Sequence, residues 1–297
     1  MSKLSNMWWY KYNPTNFNAL ILNEDIKPTL LKALDEVPNL LLFGPPGVGK
    51  SAFAKILLDH TGYDNLWINA SKDRGIDVVR ELIVPFGTGY SLHPLKIIVI
   101  NEADQLTPDA QKSLKEETEN IIELTRFVFI TNEVHKIHNE IVSRLWTVEV
   151  NKPPVKEVWE RLNMILENEE VEIEKQLLKD VIKECYPDIR KMINSLQMSV
   201  SRGKIKKVIY NIGEELLADI LSGVLRGDVE KIRRLLRSNT INYSELYKYL
   251  FDNVTQFKSP GDAILLIGEA HRWDALVSIR EINFMNMVVK MLKEGTI

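Results

Sequence analysis

The sequence predicts an α/β protein, with a parallel sheet covered by helices on both faces and a helical region after it. In the first half, short apolar runs alternate with segments of helical periodicity. The runs are almost continuously apolar, as strands buried on both faces are. After Pro153 and Pro154, only helical periodicity remains. Strand and helix repeated in turn are typical of a doubly wound domain.

Five apolar runs are the predicted strands of the sheet. They are NLLLFG at 39–44, NLWINA at 65–70, KIIVIN at 96–101, TRFVFIT at 125–131 and LWTVEV at 145–150. Helical patterns separate them, for example KSAFAKILLDHTG and TPDAQKSLKEETENI. The apolar, glycine-rich segment at 81–95 is predicted to be a loop. Within it, Ile83, Val84 and Phe86 either form an exposed patch or pack in the core.

Breaks in these patterns divide the chain into three predicted regions. An α/β domain spans 1–153, a small helical domain 154–207 and a second helical bundle 208–297. The proline pair ends the last strand and opens a helix. Gly203 and Gly213 indicate the later break.

Composition excludes several classes of protein. The chain has 297 residues, 45% of them apolar and 27% charged, which is typical of a soluble globular protein. Its apolar runs are too short to span a membrane, and its start lacks the apolar region of a secretory signal. The single cysteine, Cys185, excludes an internal disulfide and indicates a reducing compartment such as the cytoplasm. A net charge of −3 confines any nucleic-acid surface to local clusters of basic residues.

The segment GPPGVGKS at 44–51 matches the phosphate-binding pattern G-x-x-x-x-G-K-S/T, between a predicted strand and a predicted helix. Its glycines let backbone N–H groups approach phosphate closely, and the helix N-terminus favours the anion. Lys50 is predicted to reach the β- and γ-phosphates, and the Ser51 hydroxyl to ligate Mg²⁺. ATP and Mg²⁺ are therefore the expected ligands. The predicted nucleotide-binding residues here are Gly44, Pro45, Pro46, Gly47, Val48, Gly49, Lys50, Ser51 and Ala52.

A second motif, IIVINEAD at 97–104, ends a predicted strand with Asn101 and Glu102. Ligands bind at this end of the strands in open α/β sheets. Glu102 is the predicted base that polarises the attacking water. Asn101 stands where a hydrolysing site usually has an aspartate, so its carbonyl can orient a metal-bound water but brings no charge. With Ser51 these two form the predicted metal side of a site that either hydrolyses slowly or does not hydrolyse.

Six segments, in order along the chain, resemble the ATPase subunits of sliding-clamp loaders, which are AAA+ proteins. They are WWYKYNPTNFNALILNEDI, NASKDRGIDVVR, NEADQLTPDAQKSLKEETE, TRFVFITN, SRLW and PDIRKMINSLQ. The resemblance extends to the small subunits of archaeal and eukaryotic replication factor C, with Asn13 in place of the usual arginine. The C-terminal segment is more similar to the bacteriophage form. The three predicted regions then correspond to an AAA+ core, a helical lid and a helical collar that holds the subunits together.

The resemblance implies roles for residues beyond the phosphate loop. Asn132 would help to position the attacking water, and Arg190 would sense the γ-phosphate from the lid and bind nucleotide. Arg144 would be an arginine finger that completes the ATP site of the neighbouring subunit. Taken alone, both arginines are equally consistent with solvated surface charges. Trp8 and Trp9 are expected at the edge of the adenine pocket.

The resemblance also implies a surface that faces DNA. Its predicted residues are Arg80, at the end of the GIDVVR helix, and Gln111, Lys112 and Lys115 on a later helix. Glu116 departs from a pair of basic residues that is common in the family, and it would repel phosphate. Lys112 compensates because it shares a helix face with Lys115. A mixed-charge exposed face is the alternative interpretation of this helix.

The function implied is ATP-dependent loading of the DNA polymerase sliding clamp onto primer–template DNA, by a ring of five subunits that includes partner subunits. For a viral source, the compartment would be the host cytoplasm. Three alternatives remain open. They are a clamp-loader subunit that binds ATP without hydrolysis, another AAA+ DNA-remodelling ATPase (a helicase loader or branch-migration motor), and a non-enzymatic scaffold.

Overall fold

The chain forms two compact units, Met1–Val208 and Ile209–Ile297. The computed structural model describes residues 6–121, 123–208, 212–238, 241–274 and 276–297, with the backbone alone at 117–120 and 212–215. The first unit contains a five-stranded sheet in the order β2-β3-β4-β1-β5, with every pair parallel. The strands are β1 Leu40–Phe43, β2 Asp64–Asn69, β3 Lys96–Asn101, β4 Thr125–Thr131 and β5 Trp146–Glu149. The predicted parallel α/β class is confirmed.

The sheet is buried on both faces, which explains why its strands are continuously apolar. Leu40 and Leu42 of β1 pack in one buried cluster, whereas Leu41 packs in the other. Successive side chains of a strand point to opposite faces, so an apolar run of this kind serves two layers at once. Each layer is closed by the helices that connect the strands.

The strand order places a crevice at the end of β1. Strands β2, β3 and β4 lie on one side of β1, and β5 lies on the other side. Such a switch point separates the connections on either side of it, and ligands bind outside the carboxyl ends of the strands there. The phosphate loop follows β1 directly, and the register places Asn101 of β3 beside Ile130 of β4.

In the described part of the chain up to the end of the sheet, there are seven short or medium helices. They are α1 Trp8–Lys11, α2 Lys27–Glu36, α3 Lys50–Thr61, α4 Ile76–Val78, α5 Val84–Thr88, α6 Pro108–Ile121 and α7 Asn139–Val142, with 3₁₀ turns at Phe17–Ala19, Ala103–Gln105 and Val134–Lys136. α3 ends at Gly62, whose φ of 63° lets the backbone N–H bond back to the Leu58 carbonyl. Helix α3 therefore starts at the phosphate loop and stops at a glycine cap.

The loop predicted at 81–95 is wrong in its first half. A π-helical turn, Val79–Ile83, joins α4 to α5 without a break. Pro85 follows this turn at the start of α5, and it removes one backbone N–H donor from the continuous helix. Ile83 is only 1% exposed, and Val84 and Phe86 are half-buried against the same cluster, so of the two alternatives the core interpretation applies; packing in this cluster outweighs the glycine and proline signals. The exposed apolar side chains of this segment are instead Leu82, Tyr90 and Leu92.

Three helices and a two-stranded sheet complete the first unit. They are α8 Val155–Asn168, α9 Lys175–Cys185 and α10 Ile189–Ser199, with β6 Glu172–Ile173 paired in parallel to β7 Lys204–Ile205. The expectation of helix alone after the proline pair is therefore wrong at these two strands. Each strand has only two residues, too few for a detectable alternation. Gly203, with φ of 74°, allows the turn into β7.

The second unit is a helical bundle. It contains α11 Ile212–Arg226, α12 Val229–Ser238, α13 Tyr243–Asp252, a 3₁₀ turn Val254–Gln256, α14 Pro260–Asp274 and α15 Arg280–Lys293. Its core is built from fully buried side chains of every helix, among them Ile220, Ile232, Leu250, Ala263 and Phe284. Large apolar side chains also lie on its surface, among them Leu265, Trp273, Leu276, Ile279 and Ile282. Within the described part of the chain, no helix has both the length and the apolar character that crossing a membrane requires.

Candidate nucleotide site

The loop between β1 and α3 has a backbone that only glycine adopts readily. Gly44, Gly47 and Gly49 have φ of 141°, 74° and 104°. A side chain at Gly44 would overlap the backbone carbonyl of Val150, and one at Gly47 would overlap the Asp188 carboxylate. The loop is therefore shaped by positive φ and by close approach from β5 and from the start of α10.

Lys50 is the buried cation of this loop. Its Nζ donates to the carbonyl oxygens of Gly44 at 2.7 Å and Pro45 at 2.6 Å, and to Asn132 Oδ1 at 2.9 Å. All three partners are oxygen acceptors. Phosphate oxygens are acceptors of the same kind, so the ammonium could donate to them in place of these partners. The bond to Asn132 joins the phosphate loop to the end of β4.

The charge state of Lys50 is poised near neutral pH. Burial lowers its pKa to about 8, with Arg190 acting in the same direction. The carboxylates of Asp188 and Asp104 act against this shift. A bound anion would stabilise the protonated form, because an opposite charge close by favours the ammonium.

The metal side of the site is built from neutral oxygen atoms and one carboxylate. Ser51 Oγ donates to Asn101 Oδ1 at 3.0 Å. Glu102 follows with φ of 56°, a left-handed conformation that is uncommon for a residue with a side chain. A hydroxyl, an amide oxygen and a carboxylate are donors that Mg²⁺ accepts when phosphate supplies the remaining charge. Among the residues whose side chains are described, no cluster of three or more His, Cys, Asp or Glu is placed to hold a metal by itself.

Asp104 supports the site through a hydrogen bond to Thr131, and the sequence motifs did not single it out. Its Oδ1 accepts a 2.6 Å hydrogen bond from the buried Thr131 hydroxyl. Burial opposes its ionisation, but hydrogen bonds from Thr131 and Gln105 outweigh burial and hold the pKa of the carboxyl below its usual value. This pair fixes the end of β4 immediately before Asn132.

A cavity of about 400 Å³ opens beside the loop. It is lined by Trp9, Tyr10, Tyr12, Asn13, Pro14, Ala19, Leu20, Ile21, Pro46, Gly47, Val48, Gly49, Lys50, Ser51, Ala52, Lys55, Trp67, Asn101, Glu102, Ile130, Thr131, Asn132, Arg161, Ile189, Arg190 and Ile193. Four of these lining residues are cations, whereas Glu102 is the single carboxylate among them. This balance favours a polyanionic ligand. The predicted residues Lys50, Ser51, Asn101, Glu102, Asn132 and Arg190 therefore lie around one cavity.

The N-terminal segment forms one wall of this cavity and is attached to the helices after the sheet. The backbone N–H of Trp8 donates to Gln197 Oε1 at 2.9 Å. Glu169 Oε1 accepts from both the Tyr12 hydroxyl and the Lys11 ammonium, each at 2.7 Å. Trp8 is buried, whereas Trp9, Tyr10 and Tyr12 of this segment line the cavity.

Arg161 is a cavity residue that the sequence analysis missed. It lies on α8, its guanidinium donates to the Ala19 carbonyl, and burial lowers its pKa. An arginine on the partly buried side of an amphipathic helix is the signal that could have found it. It ties the wall formed by the N-terminal segment to α8.

Arg144 does not line this cavity. It lies exposed after α7, and its Nη1 donates to the Lys115 carbonyl at 3.4 Å. The structure therefore separates it from the loop of its own chain.

The predicted DNA-side residues do not share one environment. Arg80 and Lys112 are exposed, and Lys115 is half-buried with its Nζ 3.4 Å from Glu140 Oε1. Arg80 and Lys112 are thus available for phosphate contact, while Lys115 already has an acidic neighbour.

Gln111, which was predicted on the DNA-facing surface, lies in the interior. Gln111 is only 3% exposed, and its amide nitrogen donates to the carbonyls of Leu106 at 3.3 Å and Lys136 at 3.0 Å. Its Oε1 accepts from the His138 N–H at 2.8 Å. These hydrogen bonds hold α6 against the segment before α7, because the donors and the acceptor of a buried amide need partners inside the protein.

Comparison with known proteins identifies two matching families along the first unit. The ATPase family associated with various cellular activities (AAA) matches residues 40–152. The lid domain described as "Sliding-clamp-loader large subunit, AAA+ ATPase lid domain" matches residues 151–210. Both matches contain elements that build the cavity.

Similar proteins include replication factor C subunits from archaea and a eukaryote. The replication factor C small subunit of Aeropyrum pernix is 31% identical over 91% of this chain and 90% of its own length. Small subunit 2 of Pyrobaculum arsenaticum is 29% identical over 90% and 91%. The probable subunit 5 of Dictyostelium discoideum is 34% identical over 84% and 73%.

Solved structures share the fold at lower identity. A mutant of RuvB from Thermotoga maritima has a TM-score of 0.58 and 18% identity, with 81% of this chain and 85% of that chain covered. At this identity, the likeness extends to the fold alone.

Proposed function

The chain belongs to the replication factor C small subunit family of AAA ATPases, and from this premise we propose that it hydrolyses ATP to load a sliding clamp onto primer–template DNA. The observation that carries the proposal is the electropositive cavity around Lys50, Asn101, Glu102, Asn132 and Arg190. It contains a phosphate loop, a candidate base and a lid arginine within one compact unit.

In the proposed reaction, Lys50 and the loop N–H groups bind the β- and γ-phosphates. Glu102 polarises the attacking water, and the Asn132 amide, already held by Lys50, orients it. Ser51 and Asn101 offer neutral oxygens that would hold Mg²⁺, and the metal would neutralise phosphate charge, but Asn101 lacks the carboxylate charge that would hold the metal more tightly. We expect hydrolysis by the isolated chain to be slow for that reason.

Assembly with other subunits would complete the site. Arg144 lies outside its own cavity, which suits a finger that neutralises charge on the γ-phosphate of an adjacent subunit. The exposed apolar side chains of the second unit suit helix packing between subunits. In a ring of five, ATP binding would favour a closed spiral that holds the clamp open, and hydrolysis would loosen it.

DNA contact is proposed for Arg80, Lys112 and Lys115, without Gln111. Contacts of lysine and arginine with backbone phosphates carry no sequence information. Such contacts suit an ATPase that acts at any primer junction, in the cytoplasm of a cell or of an infected host.

A second candidate function is a subunit that binds ATP without hydrolysing it. The observation that favours it is the neutral Ser51–Asn101 pair at the metal side. Retention of Glu102 at the cavity rim favours hydrolysis instead.

The test compares phosphate release by the wild type, Asn101→Asp and Glu102→Gln, each with and without partner subunits, clamp and primed DNA. We expect Asn101→Asp to raise the rate and Glu102→Gln to abolish it. An unchanged rate in Glu102→Gln would show that the assigned base is wrong. Wild-type nucleotide binding without any release under full conditions would establish the non-hydrolysing alternative.

A further inference from the structure

Arg190 is in contact with an aromatic ring that the proposed reaction does not use. Its Cζ lies 5.9 Å from the centroid of the Trp9 ring. Both residues line the cavity. A guanidinium at this distance from an indole face is attracted by the ring quadrupole, and tryptophan is the strongest such partner.

The two residues belong to elements that are fixed to each other. Trp9 lies in α1 and Arg190 in the first turn of α10. The backbone of Trp8 donates to Gln197 of α10, and the Gln197 amide nitrogen donates back to the Asn6 carbonyl at 2.7 Å. The ring is therefore held beside Arg190 by two hydrogen bonds that do not involve either side chain.

Stacking on a ring leaves an arginine free to bind an anion. The attraction uses the guanidinium face, while its N–H donors point outward in the plane. An unrestrained arginine side chain loses rotamer freedom when it is ordered on a ligand. An arginine already restrained on a ring loses less, so the aromatic contact favours binding of the anion that the arginine recognises.

We propose that Trp9 is a positioning residue that holds the Arg190 guanidinium at the cavity and so increases the affinity for a nucleoside triphosphate over a diphosphate. This inference rests on the proposed function, because it assigns the γ-phosphate to Arg190. Trp9 would act through Arg190 and not through the nucleobase.

The experiment measures Kd for ATPγS and for ADP by calorimetry, with the full chain. The variants are Trp9→Leu, Trp9→Phe, Arg190→Ala and the double variant Trp9→Leu with Arg190→Ala. We expect Trp9→Leu to weaken ATPγS binding by about two- to fivefold, the size of an exposed cation–π contact. ADP binding should weaken less than ATPγS binding, and Trp9→Phe should lose less than Trp9→Leu because a weaker ring remains.

Two comparisons separate positioning from packing. In the Arg190→Ala background, Trp9→Leu should have no further effect on ATPγS binding. Trp146→Leu is the matched control: it removes a similar contact, with Lys32 Nζ 5.1 Å from the ring centroid, outside the cavity lining. This control should leave both Kd values unchanged.

Three outcomes would overturn the inference. Equal losses for ATPγS and ADP would mean that the ring only packs on the shared part of the nucleotide. A loss that persists without Arg190 would lead to the same conclusion, and tighter ATPγS binding in Trp9→Leu would mean that the ring competes with phosphate. If the wild type binds neither nucleotide, the proposed function itself fails, which is a separate result.

Discussion

Raising the pH should weaken nucleotide binding through one residue, Lys50. Its pKa in the folded protein is lowered to about 8, mainly by burial. Phosphate binds the ammonium form, so above this pH the site must take up a proton as the nucleotide binds. The pKa of an ordinary lysine is about 10.4, well above that of Lys50.

The size of the loss in affinity follows from the fraction of Lys50 that is charged before the nucleotide binds. With a pKa of about 8, Lys50 is about 90% charged at pH 7 and about 10% charged at pH 9. The apparent affinity should therefore fall about tenfold between these values, provided that the bound form stays protonated.

The same shift in the pKa of Lys50 also affects the folding equilibrium, with a known sign. Between about pH 8 and 10.4, this lysine binds more protons in the unfolded chain than in the folded chain. Its contribution to the free energy of unfolding therefore increases as pH rises through that window.

The assay is ATPγS binding by calorimetry from pH 6.5 to 9.5, in buffers of different ionisation enthalpy to count the protons taken up. Lys50→Arg is the control, because a guanidinium stays charged throughout this range. If wild-type affinity stays flat to pH 9.5, or if Lys50→Arg shows the same decline, the protonation of Lys50 does not govern binding.

Three further outcomes are expected. Arg144→Ala should leave ATPγS binding by the isolated chain unchanged but reduce phosphate release by the full assembly about a thousandfold; retained release would exclude a finger role. Gly47→Ala should raise Kd by at least about tenfold because of its φ and its overlap with Asp188. Adding Asp188→Ala should recover part of that loss, and no recovery would show that the overlap is unimportant. Gln111→Leu should lower the free energy of unfolding by about 1–3 kcal/mol in urea titrations, since the Lys136 carbonyl and the His138 N–H lose their partner; unchanged stability would contradict its structural assignment.

The segment at 81–95 shows where local sequence signals fail. Glycine and proline predicted a loop, but the helix is continuous from Ile76 to Thr88, and Ile83 is buried in a cluster that also contains strand residues. Tertiary packing contributes more free energy than the local preferences of one or two residues. The same limit applies to the strands β6 and β7, which are too short to carry a pattern.

Gln111 shows the corresponding limit for a site. Its type and its place on an exposed-looking helix gave no indication that its amide would bond to three backbone groups in the interior. Asp104 and Arg161 come from segments far apart in sequence, and only the folded chain brings both of them to the nucleotide site.

What the sequence by itself determined is the parallel sheet, the phosphate loop and the cavity residues that follow strand ends. Apolar runs, glycines and strand-end polar residues have local physical consequences, so their arrangement can be predicted one segment at a time. Only the tertiary structure decided which cations surround the cavity, which amide is buried and where Lys50 titrates. Those properties depend on burial and on distances between segments, and no single segment of the chain determines either.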